Sequence, residues 1–438
     1  NPRYFDYEEV SPTLNPGRIS DLRKKFPLFT GDLGVIVSYG EKEDNYSFIP
    51  INELENSDLD PTGQSQSRSF NGEVRLLQEL MYLAENKKQP VIYVLQGHGE
   101  PEEAGAGQAG MSSLRLKLMQ TKYDVRTLKF PADLNPESAA VPADADVVLV
   151  VGPTRPLANA VPALRKYLSP AEPGKPKGKL VALIGPTPAD PQNGNKMKET
   201  GLEALLREYN VDVTNEQILT LAIPQSEGFV LARSPQLVIV SPLPEAIDAR
   251  QPLAQTFKNQ PLNWFDCRKV QPSRNPSPPG GPTYSAQAIM GSYGVVWTEA
   301  DMAADIGRQR QNLLQNAAAQ RQKATEEAQP VMVAVTESAG GPHGSPGEQK
   351  PRLVVIGTSS VATNQFQSGQ GGVITFDLIR GCIDWCRERT ANIGVQPKTH
   401  SNYVLPRVSY ARLFWVPSFA VLVGIFGFGM IIWNMRKR

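Results

Sequence analysis

The chain has 438 residues, of which 40% are hydrophobic, so it is long enough for roughly two or three domains with a sizeable core. Its 45 lysines and arginines balance 44 aspartates and glutamates, and the formal net charge of +1 argues against nucleic acid as a partner. Because the 3 histidines lie far apart in sequence and the 3 cysteines show no zinc-site spacing, we expect no metal site.

The first part of the chain, residues 1–69, is predicted to be the C-terminal part of a small α/β domain followed by a linker. A helix is predicted over residues 15–25 and a strand over 33–39, and the polar stretch 56–69 is predicted to be a loop. No initiator methionine or signal peptide opens the sequence, so we expect it to begin part-way through a longer protein.

The main domain is predicted over residues 70–398. It opens with a helix at 70–86, whose apolar residues recur at spacings of three and four. Residues 90–101 follow, an apolar, β-prone run that stops at a Gly-His-Gly turn. A strand without polar alternation is typical of a parallel sheet covered on both faces, and the glycines allow a sharp turn at its carboxyl end. In open α/β sheets this edge binds ligands.

Strands and helices then alternate along the sequence. Strands are predicted at 123–130, 146–151, 180–184 and 352–356, and helices at 112–120, 158–168, 201–209 and 372–389. Two of these strands end in Gly-Pro-Thr, and the last ends in Gly-Thr-Ser-Ser. This alternation predicts an α/β fold built on a parallel sheet.

An insertion at about 219–350 interrupts the alternation and is predicted to be irregular. Residues 269–283 are rich in proline and predict a surface loop, and 338–350 predict a second linker. Between them, residues 299–329 predict a solvated helix or a helical hairpin. The segment 102–110, rich in Glu, Ala and Gly, is expected to be mobile.

A transmembrane helix is predicted at 413–433, which contains no charged residue and is about long enough to cross a bilayer. It is preceded by a juxtamembrane linker, 399–412, and followed by a basic tail, 434–438, which predicts a cytoplasmic C-terminus and a large domain on the opposite side. Ala420, Gly424 and Gly427 fall on one helical face. They either pack against another membrane helix or reflect how common glycine is in such helices.

Catalysis by a nucleophile is not expected from the predicted turns. None of them presents a cysteine, and no Gly-x-Ser-x-Gly motif occurs. Cys382 and Cys386 lie one helical turn apart on a predicted helix, which favours burial over chemistry. The sequence contains no P-loop motif, and the Gly-x-Gly-x-x-Gly at 105–110 does not directly follow a strand, so no nucleotide cofactor is expected.

His98 and Glu100 lie at the predicted ligand-binding edge and leave two interpretations open. They either hydrogen-bond and cap the local backbone, or they contact a ligand, as an acid/base pair if the protein is an enzyme. The candidate residues for ligand or partner binding are those of the strand-end turns: Gly97, His98, Gly99, Glu100, Thr154, Thr187, Thr358 and Ser359.

Several landmarks together resemble a known family. They are Phe70-Asn71-Gly72-Glu73 before a helix, the Gly-His-Gly-Glu-Pro turn at 97–101, residues 150–154, residues 352–364, Asp384-Trp385 and the terminal apolar helix. In this order they resemble the auxiliary component of gliding-motility-type ABC transporters. The turn at 357–360 departs from the pattern, because such proteins often carry aspartates around the serine.

The resemblance implies a flavodoxin-like or class I glutamine-amidotransferase-like α/β domain without the catalytic cysteine, held between two membrane helices. It implies a place in the bacterial inner membrane with the domain in the periplasm, and an ABC permease and a separate ATPase as partners. We therefore expect a non-enzymatic accessory subunit that binds a substrate, an envelope protein or a glycan. A carbohydrate- or peptide-processing enzyme using His98 and Glu100, and a structural spacer in an envelope assembly, are the alternatives.

Overall fold

The structure is a computed structural model of the chain, which divides into two compact units, residues 1–398 and 399–438. The residues it describes are 6–11, 13–26, 29, 33–40, 45–59, 66–70, 72–84, 89–131, 138–169, 177–225, 228–258, 260–273, 283–338, 349–368, 372–389 and 407–436.

The N-terminal segment forms two antiparallel strand pairs and helices. Its elements are α1 (Pro16–Lys25), β1 (Gly34–Ser38), β2 (Tyr46–Pro50), α2 (Ile51–Leu54), β3 (Glu55–Leu59), β4 (Gln66–Phe70) and α3 (Gly72–Ala84). Strand β1 pairs with β2, and β3 pairs with β4. The prediction of a loop over 56–69 is therefore wrong at both ends of that range. These polar residues are extended because β3 and β4 pair with each other.

The alternating strands and helices follow in the predicted order. They are β5 (Val91–Gln96), α4 (Ser112–Gln120), β6 (Asp124–Lys129), β7 (Val147–Val151), α5 (Ala160–Leu168), β8 (Leu180–Leu183), β9 (Ala189–Asp190), a 3₁₀ helix (Pro191–Asn193), β10 (Lys196–Met197) and α6 (Leu202–Arg207). Strands β5, β7 and β8 are buried along their whole length, as their continuous apolar sequences predict.

The described residues of the insertion form regular elements, contrary to the sequence prediction for 219–350. Of the loops predicted at 269–283 and 338–350, residues 274–282 and 339–348 lie outside the described residues, and residues 269–272 belong to a strand. The insertion contains β11 (Val211–Gln225), β12 (Gly228–Leu231), β13 (Leu237–Pro242), α7 (Pro244–Asp248), α8 (Pro252–Thr256), β14 (Leu262–Phe265), β15 (Cys267–Pro272), β16 (Thr283–Ser292), β17 (Val295–Glu299), α9 (Ile306–Gln315) and α10 (Ala317–Lys323). Helices α9 and α10 form the helical hairpin expected within 299–329. Strand β11 pairs with β12, β15 and β17, all antiparallel.

The chain then returns to the central sheet through β18 (Pro330–Ser338), β19 (Gln349–Ile356), a 3₁₀ helix (Ser360–Ala362), α11 (Asn364–Gln367) and α12 (Gly372–Cys386). The sheet has the order β14-β13-β16-β18-β19-β8-β7-β5-β6. The five strands from β19 to β6 are parallel, and the four beyond β19 are joined by antiparallel pairs. The predicted α/β fold class is confirmed. The sheet is mixed, however, and not parallel throughout.

Helices cover both faces of the central sheet. Alternate side chains of β7 illustrate this, because successive residues of a strand point to opposite faces. Leu149 lies in a core shared with α4 and α12, while Val148 and Val150 lie in a core shared with α5 and α6. The domain is therefore three layers, with the sheet in the middle.

A buried ion pair connects the insertion to the parallel half of the domain. Arg268 of β15 lies 3.1 Å from Glu203 of α6, with side chains only 2% and 7% exposed. The second carboxylate oxygen of Glu203 accepts hydrogen bonds from the backbone N–H groups of Thr200 and Gly201 at the start of α6. Burial lowers the pKa of Arg268, whereas the charge of Glu203 and its hydrogen bond raise it.

The second unit contains α13 (Arg407–Arg436), a helix of 30 residues. It includes the predicted membrane segment 413–433. Gly424 and Gly427 are exposed on it, and the side chain of Ala420 lies outside the described residues. In the part of the chain that the structure describes, no helix is long and apolar enough to cross a membrane.

We predict that Glu203→Ala destabilises the chain by about 3–5 kcal/mol, because it leaves the Arg268 charge buried without its partner. Glu208→Ala is the matched control: Glu208 pairs with Arg165 on the surface, where both side chains are nearly half exposed, and its loss costs about 1 kcal/mol or less. Urea unfolding of the full-length variants measures both. Equal losses for the two variants would contradict a stabilising role for the buried pair.

Candidate functional site

Four strand-end turns lie along one edge of the central sheet. Strands β5, β7, β8 and β19 are parallel neighbours, so the turns that follow their carboxyl ends meet at the same edge. These turns are 97–100, 152–154, 185–187 and 357–360. We call this set the carboxyl edge, and it contains all the candidate binding residues predicted from the sequence.

The strand order reverses direction between β5 and β7, because β6 lies on the other side of β5. Such a reversal usually opens a crevice for a ligand. Here backbone hydrogen bonds join its two sides: the carbonyl of His98 accepts hydrogen bonds from the N–H groups of Thr154 at 3.0 Å and Arg155 at 2.9 Å. The Arg155 guanidinium also donates to the Gly97 carbonyl at 3.2 Å, and the Thr154 hydroxyl to the Gly99 carbonyl at 3.3 Å. The turn after β7 therefore closes onto the turn after β5.

His98 and Glu100 contact each other directly. His98 Nδ1 lies 3.2 Å from Glu100 Oε1, and the backbone N–H of His98 donates to Glu100 Oε2. The two side chains are 12% and 1% exposed. The carboxylate thus fixes both the turn and the orientation of the imidazole, as a second group does for a catalytic or metal-binding histidine.

Ser359 packs against two of the neighbouring turns. A Cβ atom added to Gly152 would lie 2.7 Å from both Cβ and Oγ of Ser359, and one added to Gly185 would lie 3.1 Å from that Oγ. Gly152 also has φ +54°, a left-handed conformation that disfavours side chains. Glycine at 152 is therefore required both by the close approach and by the backbone.

The side chains of Thr187 and Thr358 are hydrogen-bonded inside the protein. The Thr358 side chain donates to the Phe265 carbonyl at 2.7 Å, and the Thr187 side chain donates to the Lys198 carbonyl at 2.7 Å. Both threonines are buried. The candidate residues that the structure leaves at least partly exposed are Gly97, His98, Gly99, Thr154 and Ser359, whereas the Glu100 side chain is buried.

Two contributors to the carboxyl edge were missed by the sequence analysis. Asp266 adjoins it, with its carbonyl oxygen 3.8 Å from a Cβ added to Gly185, and burial raises the pKa of its carboxyl group. The side-chain amide of Asn364 donates to the carbonyls of Gly105 and Gly107 at 2.8 and 2.7 Å. Segment 102–110, expected to be mobile, is therefore held in place by a residue that follows it by more than 250 positions.

The three cysteines are buried and lie within the hydrophobic core. Burial raises the pKa of each thiol, that of Cys386 to about 12. The predicted burial of Cys382 and Cys386 is confirmed. Because the thiolate is the reactive form, these groups have little nucleophilic character near neutral pH. Within the described ranges, no cluster of three or more His, Cys, Asp or Glu side chains is arranged to hold a metal ion.

No protein-family model and no curated protein matches the chain. Among solved structures, one titled "mmIFT52 N-terminal domain" is similar at 12% sequence identity and a TM-score of 0.39, covering 68% of this chain and 97% of that chain. A similarity at this level supports no conclusion about function.

We predict that Gly152→Ala destabilises the chain by about 1–3 kcal/mol, from its left-handed backbone and the contact with Ser359. Gly107→Ala, where an added Cβ meets nothing within 4 Å, is the control and changes stability little. In the double variant with Ser359→Gly, part of the loss is recovered because the steric contact is gone. Thermal unfolding of wild type, Gly152→Ala, Ser359→Gly and the double variant measures this coupling. Simple additivity of the two substitutions would contradict the packing of Ser359 against residue 152.

Proposed function

We propose that the chain is a non-enzymatic, membrane-anchored accessory subunit of an ABC-type transport system. The observation that carries this proposal is the closure of the carboxyl edge, where the His98 carbonyl accepts two backbone hydrogen bonds from the opposite turn. The two turns at the usual position of a ligand crevice are hydrogen-bonded to each other, and the exposed Gly97 and Gly99 form a rim. Such a rim suits contact with another macromolecule, an envelope protein or a glycan, better than enclosure of a reacting small molecule.

The proposal includes a flavodoxin-like or class I glutamine-amidotransferase-like fold for the main domain. In chain order, the parallel strands β6-β5-β7-β8-β19 run 2-1-3-4-5, which is the order of flavodoxin-like sheets. The turns named in the sequence resemblance follow β5, β7 and β19. The antiparallel strands beyond β19 are an addition to that plan.

Membrane attachment in the proposal depends on the sequence of the second unit. Residues 413–433 carry no charge, and Arg436, Lys437 and Arg438 follow them. We propose that this segment lies in a bacterial inner membrane with the main domain in the periplasm and the C-terminus in the cytoplasm.

The partners in the proposal are an ABC permease and a separate ATPase. They are inferred from the sequence resemblance, and the exposed Gly424 and Gly427 offer a helix surface on which a permease helix can pack closely. ATP hydrolysis would then belong to the ATPase chain, in keeping with the lack of a P-loop motif in this sequence.

One observation favours the enzymatic alternative. The 3.2 Å contact between His98 and the buried Glu100 carboxylate is the kind of pairing that orients a catalytic imidazole. A carbohydrate- or peptide-processing enzyme would use it with a hydroxyl or a water as nucleophile. A structural spacer is the third alternative, and for it the carboxyl edge would be covered by another protein.

Affinity purification of the full chain from its own membranes in mild detergent tests the proposal. We expect a permease and an ATPase to be recovered with it in comparable amounts. Replacing Gly424 by Ile should reduce their recovery about tenfold, because a bulky side chain prevents close helix packing. Leu422→Ile, an exposed position on the same helix, is the matched control and should retain both partners. Recovery of the wild-type chain alone would contradict the proposal and favour the enzymatic alternative.

A further inference from the structure

A concave surface lies at the end of the central sheet opposite the carboxyl edge, near the amino end of β19. It encloses about 500 Å³, within the range of roughly 300–1,000 Å³ typical of binding sites. Its floor is formed by β16, β18 and the first residues of β19, and its walls by the turn between α7 and α8 and by the end of α12. We call it the amino-edge groove. It is separate from the carboxyl edge and shares no residue with it.

The floor of the groove is polar because of strand register. Ser285 is paired with Thr336, and Gln287 with Ala334, so these side chains project from the same face of the antiparallel pair. The first residue of β19, Gln349, extends this row, with its side-chain oxygen 3.5 Å from the Thr336 hydroxyl. Hydroxyl and amide groups therefore line a continuous strip across three strands.

Glutamine amides occur on both the floor and a wall. Gln287 and Gln349 lie on the floor. Gln251 lies in the α7–α8 turn, where its side-chain oxygen accepts a hydrogen bond from the N–H of Leu253 at 2.7 Å, so only its NH₂ group can face a ligand. A side-chain amide carries a donor and an acceptor in one plane, which matches the hydrogen-bonding groups of a peptide bond. The groove is thus suited to the backbone of an extended chain.

The charge of the walls is positive. Arg250 forms no ion pair with any of the described residues, and its exposed side chain lines the groove. Lys350 also lines it. The acidic residue there, Glu388, lies 3.2 Å from Lys179, which compensates its charge. An occupant with a carboxylate group would complement the unpaired charge of Arg250.

We propose that the amino-edge groove binds an extended, acidic peptide segment of a partner protein. The glutamine and hydroxyl side chains would hydrogen-bond its backbone, and Arg250 would pair with one of its carboxylates. Trp385, which is 4% exposed and lines the groove, adds an apolar contact. Charge and hydrogen-bonding pattern together favour a peptide over a bare anion.

Calorimetric titration of the full chain with two blocked pentapeptides tests this proposal. The probes are acetyl-GDEDG-amide and its uncharged counterpart acetyl-GNQNG-amide. We expect the acidic peptide to bind about tenfold more tightly, because a charge-assisted hydrogen bond contributes about 1.4 kcal/mol or more. Gln287→Leu should weaken the binding of both peptides, since it removes an amide that contacts the backbone.

Arg250→Asn is the specific test. Residue 250 has φ +54°, a conformation that asparagine tolerates, so the substitution removes the charge and keeps the turn. We expect it to reduce the preference for the acidic peptide, since one of the two basic residues that line the groove is removed. Arg308→Asn, whose side chain is 86% exposed on α9 and does not line the groove, should leave the preference unchanged.

Three results would overturn the proposal. One is the absence of binding by either peptide at millimolar concentration, and another is equal binding of the acidic peptide by wild type and Arg250→Asn. The third is tighter binding of another anion. Displacement of the peptide by inorganic phosphate would assign the groove to a free anion, and tighter binding of tetragalacturonate would assign it to an acidic glycan. These results are independent of whether a permease and an ATPase are recovered with the chain.

Discussion

The structure depends on the close packing of the turns at the carboxyl edge. Four parallel strands end in glycine-containing turns, and these turns hydrogen-bond and pack against one another across the strands. The contact between Gly152 and Ser359 leaves no room for a side chain at residue 152, and the hydrogen bonds to the His98 carbonyl join the turns after β5 and β7. At the edge that commonly holds a ligand, the turns of this protein therefore bind one another.

This packing bears directly on function. The His98 imidazole is held by a carboxylate that is almost completely buried, and the backbone of the same turn is hydrogen-bonded to Thr154 and Arg155 of the neighbouring turn. The cysteine thiols, with raised pKa values, lie in the core. The proposed binding of partners rests on the exposed rim at one end of the sheet, and the proposed binding of a peptide rests on the polar groove at the other.

Local sequence patterns predicted the parallel half of the fold and much of the carboxyl edge. Strand β5 is a continuous apolar run with glycines at its end, so its burial and its turn follow from neighbouring residues. Apart from its helical hairpin, the insertion was not predictable in this way. Strand β11 contains Asn215, Glu216 and Pro224 and is extended because three antiparallel partners pair with it. The Arg268–Glu203 pair and the Asn364 contacts join residues 65 or more positions apart, and no local pattern signals them.

Hydrogen exchange at the amides of Thr154 and Arg155 tests the closure of the carboxyl edge most directly. Both follow the end of β7, and in the structure both donate to the His98 carbonyl. Residue-resolved exchange on the full chain should show these two amides protected to a degree comparable with the amides inside β7, because both are hydrogen-bonded in the closed edge. Exchange at the rate of an unstructured peptide would show that the crevice is open, and would contradict a carboxyl edge closed by its own turns.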